Sequence, residues 1–192
     1  MKYTVALLIV SLCAFAPRSS HAGQVNFASL TCDKYESQIM NAAPEAQGED
    51  AINVVMWLFG WSVGKSGAHV MYGDALQQFG NALDSACKAD PTSSVLHAVE
   101  SVKPNSSNPM DLDTLSCVTF EARHLDMSRT DPESATTIMM WLYGFSAGRS
   151  GENVLDSAAV GPFGSSLAAR CNQHSDESLL TALGAVKTPK VR

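Results

Sequence analysis

Between Ala51 and Val63 apolar side chains fall on almost every side of a helical wheel, with Asn53 and Ser62 as the interruptions. A helix that is hydrophobic all round is buried all round. The run is 13 residues, short of the roughly 20 that a bilayer demands, so the pattern predicts a core helix. Gly67 follows it in the C-cap position, and Lys65 stands where a helix dipole favours a cation. Leu76, Phe79, Leu83 and Ala86 then recur at helical spacing and lead to Cys87. Asp90-Pro91 is expected to open a further helix, with Val95, Leu96, Val99 and Val102 as its stripe. A shorter helix is expected around Cys32 and Tyr35.

The whole pattern then occurs again. Met56-Trp57-Leu58-Phe59-Gly60-Trp61-Ser62-Val63-Gly64-Lys65-Ser66-Gly67 returns as Met140-Trp141-Leu142-Tyr143-Gly144-Phe145-Ser146-Ala147-Gly148-Arg149-Ser150-Gly151, with eight of twelve positions identical. The offset of 84 carries on through Phe79/Phe163, Leu83/Leu167, Cys87/Cys171 and Leu96/Leu180. Upstream, Leu30-Thr31-Cys32 matches Leu115-Ser116-Cys117 at an offset of 85, so the first copy has one extra residue before its tryptophan. The second copy's long helix is announced by Thr130-Asp131-Pro132-Glu133, a cap with a proline and an acid in the first turn. Pro162 stands opposite Gln78 and predicts a later start for the third helix of that copy. Gly60/Gly64 and Gly144/Gly148 place two glycines on one helix face. Each costs about 1 kcal/mol relative to alanine, and a cost incurred in both copies predicts the close approach of another helix.

The fold class expected is therefore all-α: two tandem small units of about four helices. Their bounds are 23–103 and 111–192, with a polar, proline-flanked linker over 104–110. Residues 1–22 have the layout of a secretory signal peptide. Lys2 precedes the apolar run Thr4–Ala16, and Ser20-His21-Ala22 offers a cleavage site. Without Cys13, four cysteines remain, and in an oxidising compartment they allow three pairings. The repeat selects Cys32–Cys87 and Cys117–Cys171, one bridge per unit. A loop of that length is worth roughly 4 kcal/mol in the chain-entropy picture. From residue 23 onward eleven basic residues face nineteen acidic ones, a net charge of −8. Such a balance argues against nucleic acid or an anionic membrane as a partner.

Catalytic chemistry has little to stand on. Gly60-Trp61-Ser62-Val63-Gly64-Lys65-Ser66 imitates a phosphate-binding loop, but it has three residues between its glycines where four are needed, and no strand precedes it. The histidines are not shared between copies: His69 faces Asn153, His97 faces Thr181, His174 faces Asp90, and His124 faces Ile39. No GxSxG or HExxH occurs, and the cysteines lack metal-ligand spacing. Glu49-Asp50 and Glu133 read as acids near helix starts. Neither a catalytic residue, a cofactor nor a metal is expected, and the chain is not expected to be an enzyme. Trp57, Phe59, Trp61, Trp141, Tyr143 and Phe145 are candidates either for the core or for a surface that contacts client proteins.

A Leu-Thr-Cys-x-x-aromatic opening (Leu30 to Tyr35, and Leu115 to Phe120) leads to Met-Trp-Leu-aromatic-Gly-aromatic, then to a second cysteine, a polar turn and a last helix. This order resembles the HdeA/HdeB family of periplasmic acid-stress chaperones, twice over, across nearly all of 28–187. The resemblance implies a disulfide-stapled helical unit, folded at neutral pH, which acid loosens so that its apolar surface holds unfolding proteins. The partners it implies are unfolded or acid-denatured proteins. Members of that kind are single units that dimerise, so two fused units imply either a pseudo-dimer within the chain or a homodimer. Full protonation of the carboxylates would carry the chain from −8 to about +15, with the four remaining histidines charged. An alternative of another class is a periplasmic binding or inhibitor module that recognises one protein or small ligand at neutral pH.

Overall fold

A computed structural model describes residues 23–41, 44–72, 75–103 and 109–186 of the 192-residue chain. Residues 1–22, where a signal peptide is expected, and residues 104–108 of the expected linker lie outside the described residues. The first half runs β1 (Gln24–Asn26), α1 (Cys32–Tyr35), a π turn (Glu36–Met40), α2 (Pro44–Ser66), β2 (Val70–Tyr72), α3 (Leu76–Ala89) and α4 (Val95–Ser101). The second runs β3 (Pro109–Asp111), α5 (Cys117–Thr130), α6 (Pro132–Ser150), β4 (Val154–Asp156), a 3-10 turn (Ser157–Ala159), α7 (Val160–Gln173) and α8 (Leu179–Ala185). Among the described residues each half thus has four α-helices. The bridges Cys32–Cys87 and Cys117–Cys171 tie the first helix of each half to its third. No helix among the described residues is long and apolar enough to cross a membrane.

Local chemistry explains the helix ends. The Asp131 carboxylate accepts the Ser134 amide at 3.1 Å and the Ser134 hydroxyl at 2.6 Å, and Pro132 occupies the first helical position of α6. Gly151 and Gly67 stop their helices at φ values of 75° and 76°, left-handed backbone that glycine adopts without a Cβ clash. Ser94 and Ser178 cap α4 and α8 by accepting the amides of His97 and Thr181. The extra residue of the first copy is absorbed as a π turn: the Asn41 amide reaches back five residues to the Glu36 carbonyl at 2.8 Å.

Several expectations are corrected. Asp90-Pro91 does not open α4. Asp90 closes α3, its side chain binding Thr92 and Ser93, and the helix waits for the Ser94 cap. Pro162 does not delay α7, which starts at Val160, opposite Leu76. It sits in the first turn, where a missing N–H leaves no helical bond unmade. α2 begins at Pro44, so Glu49 and Asp50 lie inside the helix and not at its start. Pro109 and Met110, at the end of the expected linker, are paired in β3.

The four strands were not expected, and they change the architecture. β1 pairs antiparallel with β4, with Val25 opposite Leu155, and β2 pairs with β3, with Met71 opposite Met110. Both pairings cross from one half to the other. The same exchange is extended by two backbone bonds at equivalent places: Phe27 N–H to the Asn153 carbonyl at 3.1 Å, and Leu112 N–H to the His69 carbonyl at 2.8 Å. The buried side chains of the two halves form one continuous core.

Candidate functional site at the junction of the two repeats

α2 and α6 make the most extensive helix pairing in the molecule. They run in the same direction, because Gly60 meets Trp141 and Phe145 while Gly64 meets Phe145 and Arg149. The glycine faces carry the contact. A Cβ on Gly60 would overlap the carbonyl oxygen of Trp141, and one on Gly64 that of Phe145. Reciprocally, a Cβ on Gly144 would overlap the Trp57 carbonyl and one on Gly148 the Trp61 carbonyl. Backbone lies on backbone, related by a pseudo-twofold axis, and this is the close approach that the paired glycines predicted.

All six candidate aromatics are buried: Trp57, Trp141, Tyr143 and Phe145 at 0% exposure, and Phe59 and Trp61 at 1%. Trp141 stacks on Phe145 at 5.4 Å and meets Phe59 of the other half edge-on at 6.4 Å. Phe27 covers Trp57 at 5.1 Å, while Phe59/Phe79 and Tyr143/Phe163 form matching pairs within each half at 4.8 and 5.3 Å. The core reading therefore describes the folded protein. For these rings to touch another protein, the halves must open.

The face is apolar but not fully satisfied. The Trp61 indole donates across the junction to the Glu152 carbonyl at 2.9 Å. The indole nitrogens of Trp57 and Trp141 and the Ser146 hydroxyl are buried without a hydrogen-bond partner. Each such group left unsatisfied costs about 1–3 kcal/mol. Burial first, and then the Asp156 carboxylate, push the Tyr143 hydroxyl up to about 12.

The two ends of the α2–α6 pair differ. At the C-terminal end Lys65 lies over Trp61 and Arg149 over Phe145, at 5.7 and 5.8 Å. At the N-terminal end the helices border an open groove of about 460 Å³ lined by Ile52, Asn53, Pro132, Glu133, Thr136 and Thr137. Hydrogen bonds from Ser134 hold the Asp131 carboxyl below its ordinary value there. A second, apolar cleft of about 640 Å³ lies between α5, α6 and α7, walled by Leu125, Ala135, Met139, Val160 and Ala168. Among the described residues no cluster of three or more His, Cys, Asp or Glu is placed to hold a metal ion.

Two disulfide-closed helical units sharing one core within a single chain define an intrachain pseudo-dimer. The chain belongs to the HdeA/HdeB family, whose model matches residues 1–97, the leading segment and most of the first half. The second half is tied to the first by the repeat and by the pseudo-twofold structure. No curated protein and no solved structure shows a significant match to the chain.

Proposed function

We propose that this chain is a periplasmic acid-stress chaperone that holds unfolding proteins at low pH, with the α2–α6 face as its client surface and residues 1–22 as its export signal. Family membership supports the general role. The observation that carries the finer reading is the burial of all six aromatics in one core shared by two separately bridged halves. At neutral pH residues 23–103 carry −5 and residues 111–192 carry −3. With carboxylates protonated and histidines charged they carry +6 and +9, so the halves repel more strongly. α2 and α6 also point their positive N-termini the same way, and protonating Asp131 and Glu133 removes acids that offset that charge. The junction opens from its grooved end, while the disulfides keep each half from unravelling.

Fusion replaces subunit dissociation by opening within one chain, so reclosure at neutral pH is unimolecular and independent of concentration. The role asks for binding surface and not for catalytic groups. The test is a pH series from about 7 down to 2, with apolar-dye fluorescence, tryptophan emission and light scattering of an acid-denatured client measured together. Dye binding, a tryptophan red shift and suppressed scattering are expected to appear at the same pH, without dependence on chaperone concentration for recovery. A chain that stays closed, or opens without suppressing scattering, defeats the proposal. One stoichiometric partner captured at neutral pH would favour the binding-module reading instead.

A further inference from the structure

Away from the α2–α6 face, beside the β2–β3 pair, lies a small apolar pocket of about 70 Å³ lined by Met71, Met110, Met127, His124, Phe120 and Ile138. Met71 and Met110 are cross-strand partners. His124 and Met127 are three residues apart on α5 and so share one helix face. The pocket is too small for a drug-sized molecule and of the right order for a single ion or water. Its walls offer three thioethers and one imidazole. The Nε2 of His124 is buried and makes no hydrogen bond, while its ring stacks on Phe120 at 5.5 Å.

Methionine commonly fills gaps in apolar cores, but two observations go beyond filling. Met110 is 39% exposed, on a two-stranded sheet at the edge of the core. The pseudo-twofold axis also supplies an internal control. The residues corresponding to Met110, Met71 and His124 in the other half are Val25, Leu155 and Ile39, while Ala42, opposite Met127 in sequence, lies outside the described residues. Val25 and Leu155 are themselves cross-strand partners. Aliphatic side chains therefore suffice for packing at the equivalent place, and the soft donors are gathered on one side only. No sequence spacing announces them, because they come from two strands and a helix.

We propose that Met71, Met110, Met127 and His124 form a binding site for a soft monovalent cation, Cu(I) or Ag(I). Thioether and imidazole donors select such ions over hard ones. Arg123, an exposed side chain on the pocket wall, adds positive charge that disfavours a divalent ion. The site does not depend on the acid-chaperone reading, since it lies away from the glycine contact of α2 and α6.

The experiment uses the full chain with Cys13→Ser, so that the four bridged cysteines leave no thiol. Ag(I) is titrated in chloride-free buffer near neutral pH, followed by calorimetry and by NMR of the methionine methyl groups. One equivalent is expected to bind, moving the methyl signals of Met71, Met110 and Met127 and leaving those of buried Met56 and Met140 in place. The triple variant Met71→Leu, Met110→Val, His124→Ile installs the side chains of the other half and is expected to lose that equivalent with its helical circular dichroism intact. Should the triple variant fold poorly, Met110→Val alone changes an exposed side chain and is expected to weaken binding. Absence of saturable uptake, uptake undiminished in a folded variant, or shifts confined to Met40 and Met139 would each overturn the site.

Discussion

In the second half one helix, α5, runs 14 residues from Cys117 to Thr130, whereas the first half matches its opening with the four residues of α1 and a five-residue π turn that ends at Met40. Arg170 forks onto Glu177 at 2.8 and 2.6 Å in the second half; the first has Ala86 and Ser93 there and makes no such pair. Along α2 and α6, by contrast, the paired glycines, Trp57 and Trp141, and the reciprocal strand exchange match position for position, although Trp61 stands opposite Phe145. A backbone-on-backbone contact tolerates no side chain, so the glycines that meet backbone across the axis are held alike in both copies. Residues that face away from it obey no such restraint. The comparison teaches that the junction, and not the unit, is what the duplication preserves.

The strongest way to break this view is to remove one bridge. Replacing Cys32 and Cys87 by alanine, or Cys117 and Cys171, opens loops of separation 55 and 54. Each is expected to cost about 4 kcal/mol. Because the core is shared, either pair should lower a single cooperative transition, seen alike by Trp57 and Trp61 in one half and Trp141 in the other. Urea unfolding followed by tryptophan emission tests this. Two separate transitions would mean that the halves are independent units that merely touch.

Next in size is the glycine contact itself. Gly60→Ala and Gly144→Ala each drive a methyl group into a backbone carbonyl that cannot rotate away. Overpacking of this kind costs about 1–3 kcal/mol, toward the upper end where backbone must move. The pseudo-twofold axis requires the two costs to be equal within experimental error. Unequal midpoints in urea would break the symmetry on which the comparison rests.

These glycines also show how much was legible beforehand. Two pairs at i, i+4 spacing, kept in both copies against their helical cost, announced a close helix neighbour, and the matched cysteine spacing announced the bridges. The neighbour's identity was not written there, because nothing in a helix face says whether its partner is its own unit or the other. Strands of three residues are too short to show alternation, and Val25 and Leu155 are far apart in the chain, so the exchange that interlocks the halves left no local signal. The Met71/Met110/His124 grouping was hidden for the same reason. The six aromatics could be assigned to core or surface only once the junction that buries them was seen.

The acidic residues sharpen the comparison with opposite signs in the two halves. Hydrogen bonds from Arg170 hold Glu177 below its ordinary value. A depressed carboxyl stabilises the fold above its unfolded value, and that contribution is lost as pH falls through the folded one. Burial, and then the nearby Asp84 carboxylate, raise Glu36 in the first half. Its charged form therefore opposes folding at neutral pH, and the penalty fades as pH falls through the raised value. Glu177→Gln should lower the urea midpoint near pH 7 and lose its effect near pH 2, whereas Glu36→Gln should raise the midpoint near pH 7 and also converge in acid. Midpoints that fail to converge would show that these carboxyls do not supply the difference.

The smallest effect separates the halves most finely. Gly80 and Gly164 stand at the same place, the fifth residue of α3 and of α7. A Cβ on Gly80 would meet only the edge of Val55, 4.0 Å away, so Gly80→Ala should stabilise by about 1 kcal/mol, the helical cost of glycine removed. On Gly164 it would come within 3.3 Å of the Met139 sulfur. Met139 is flexible and borders the open cleft, so it can yield, but yielding cancels part of the gain, and Gly164→Ala should be close to neutral. Thermal unfolding of the two variants resolves the ranking. If Gly164→Ala stabilises as much as Gly80→Ala, Met139 is not packed against α7, and the second half is looser on that side than the first.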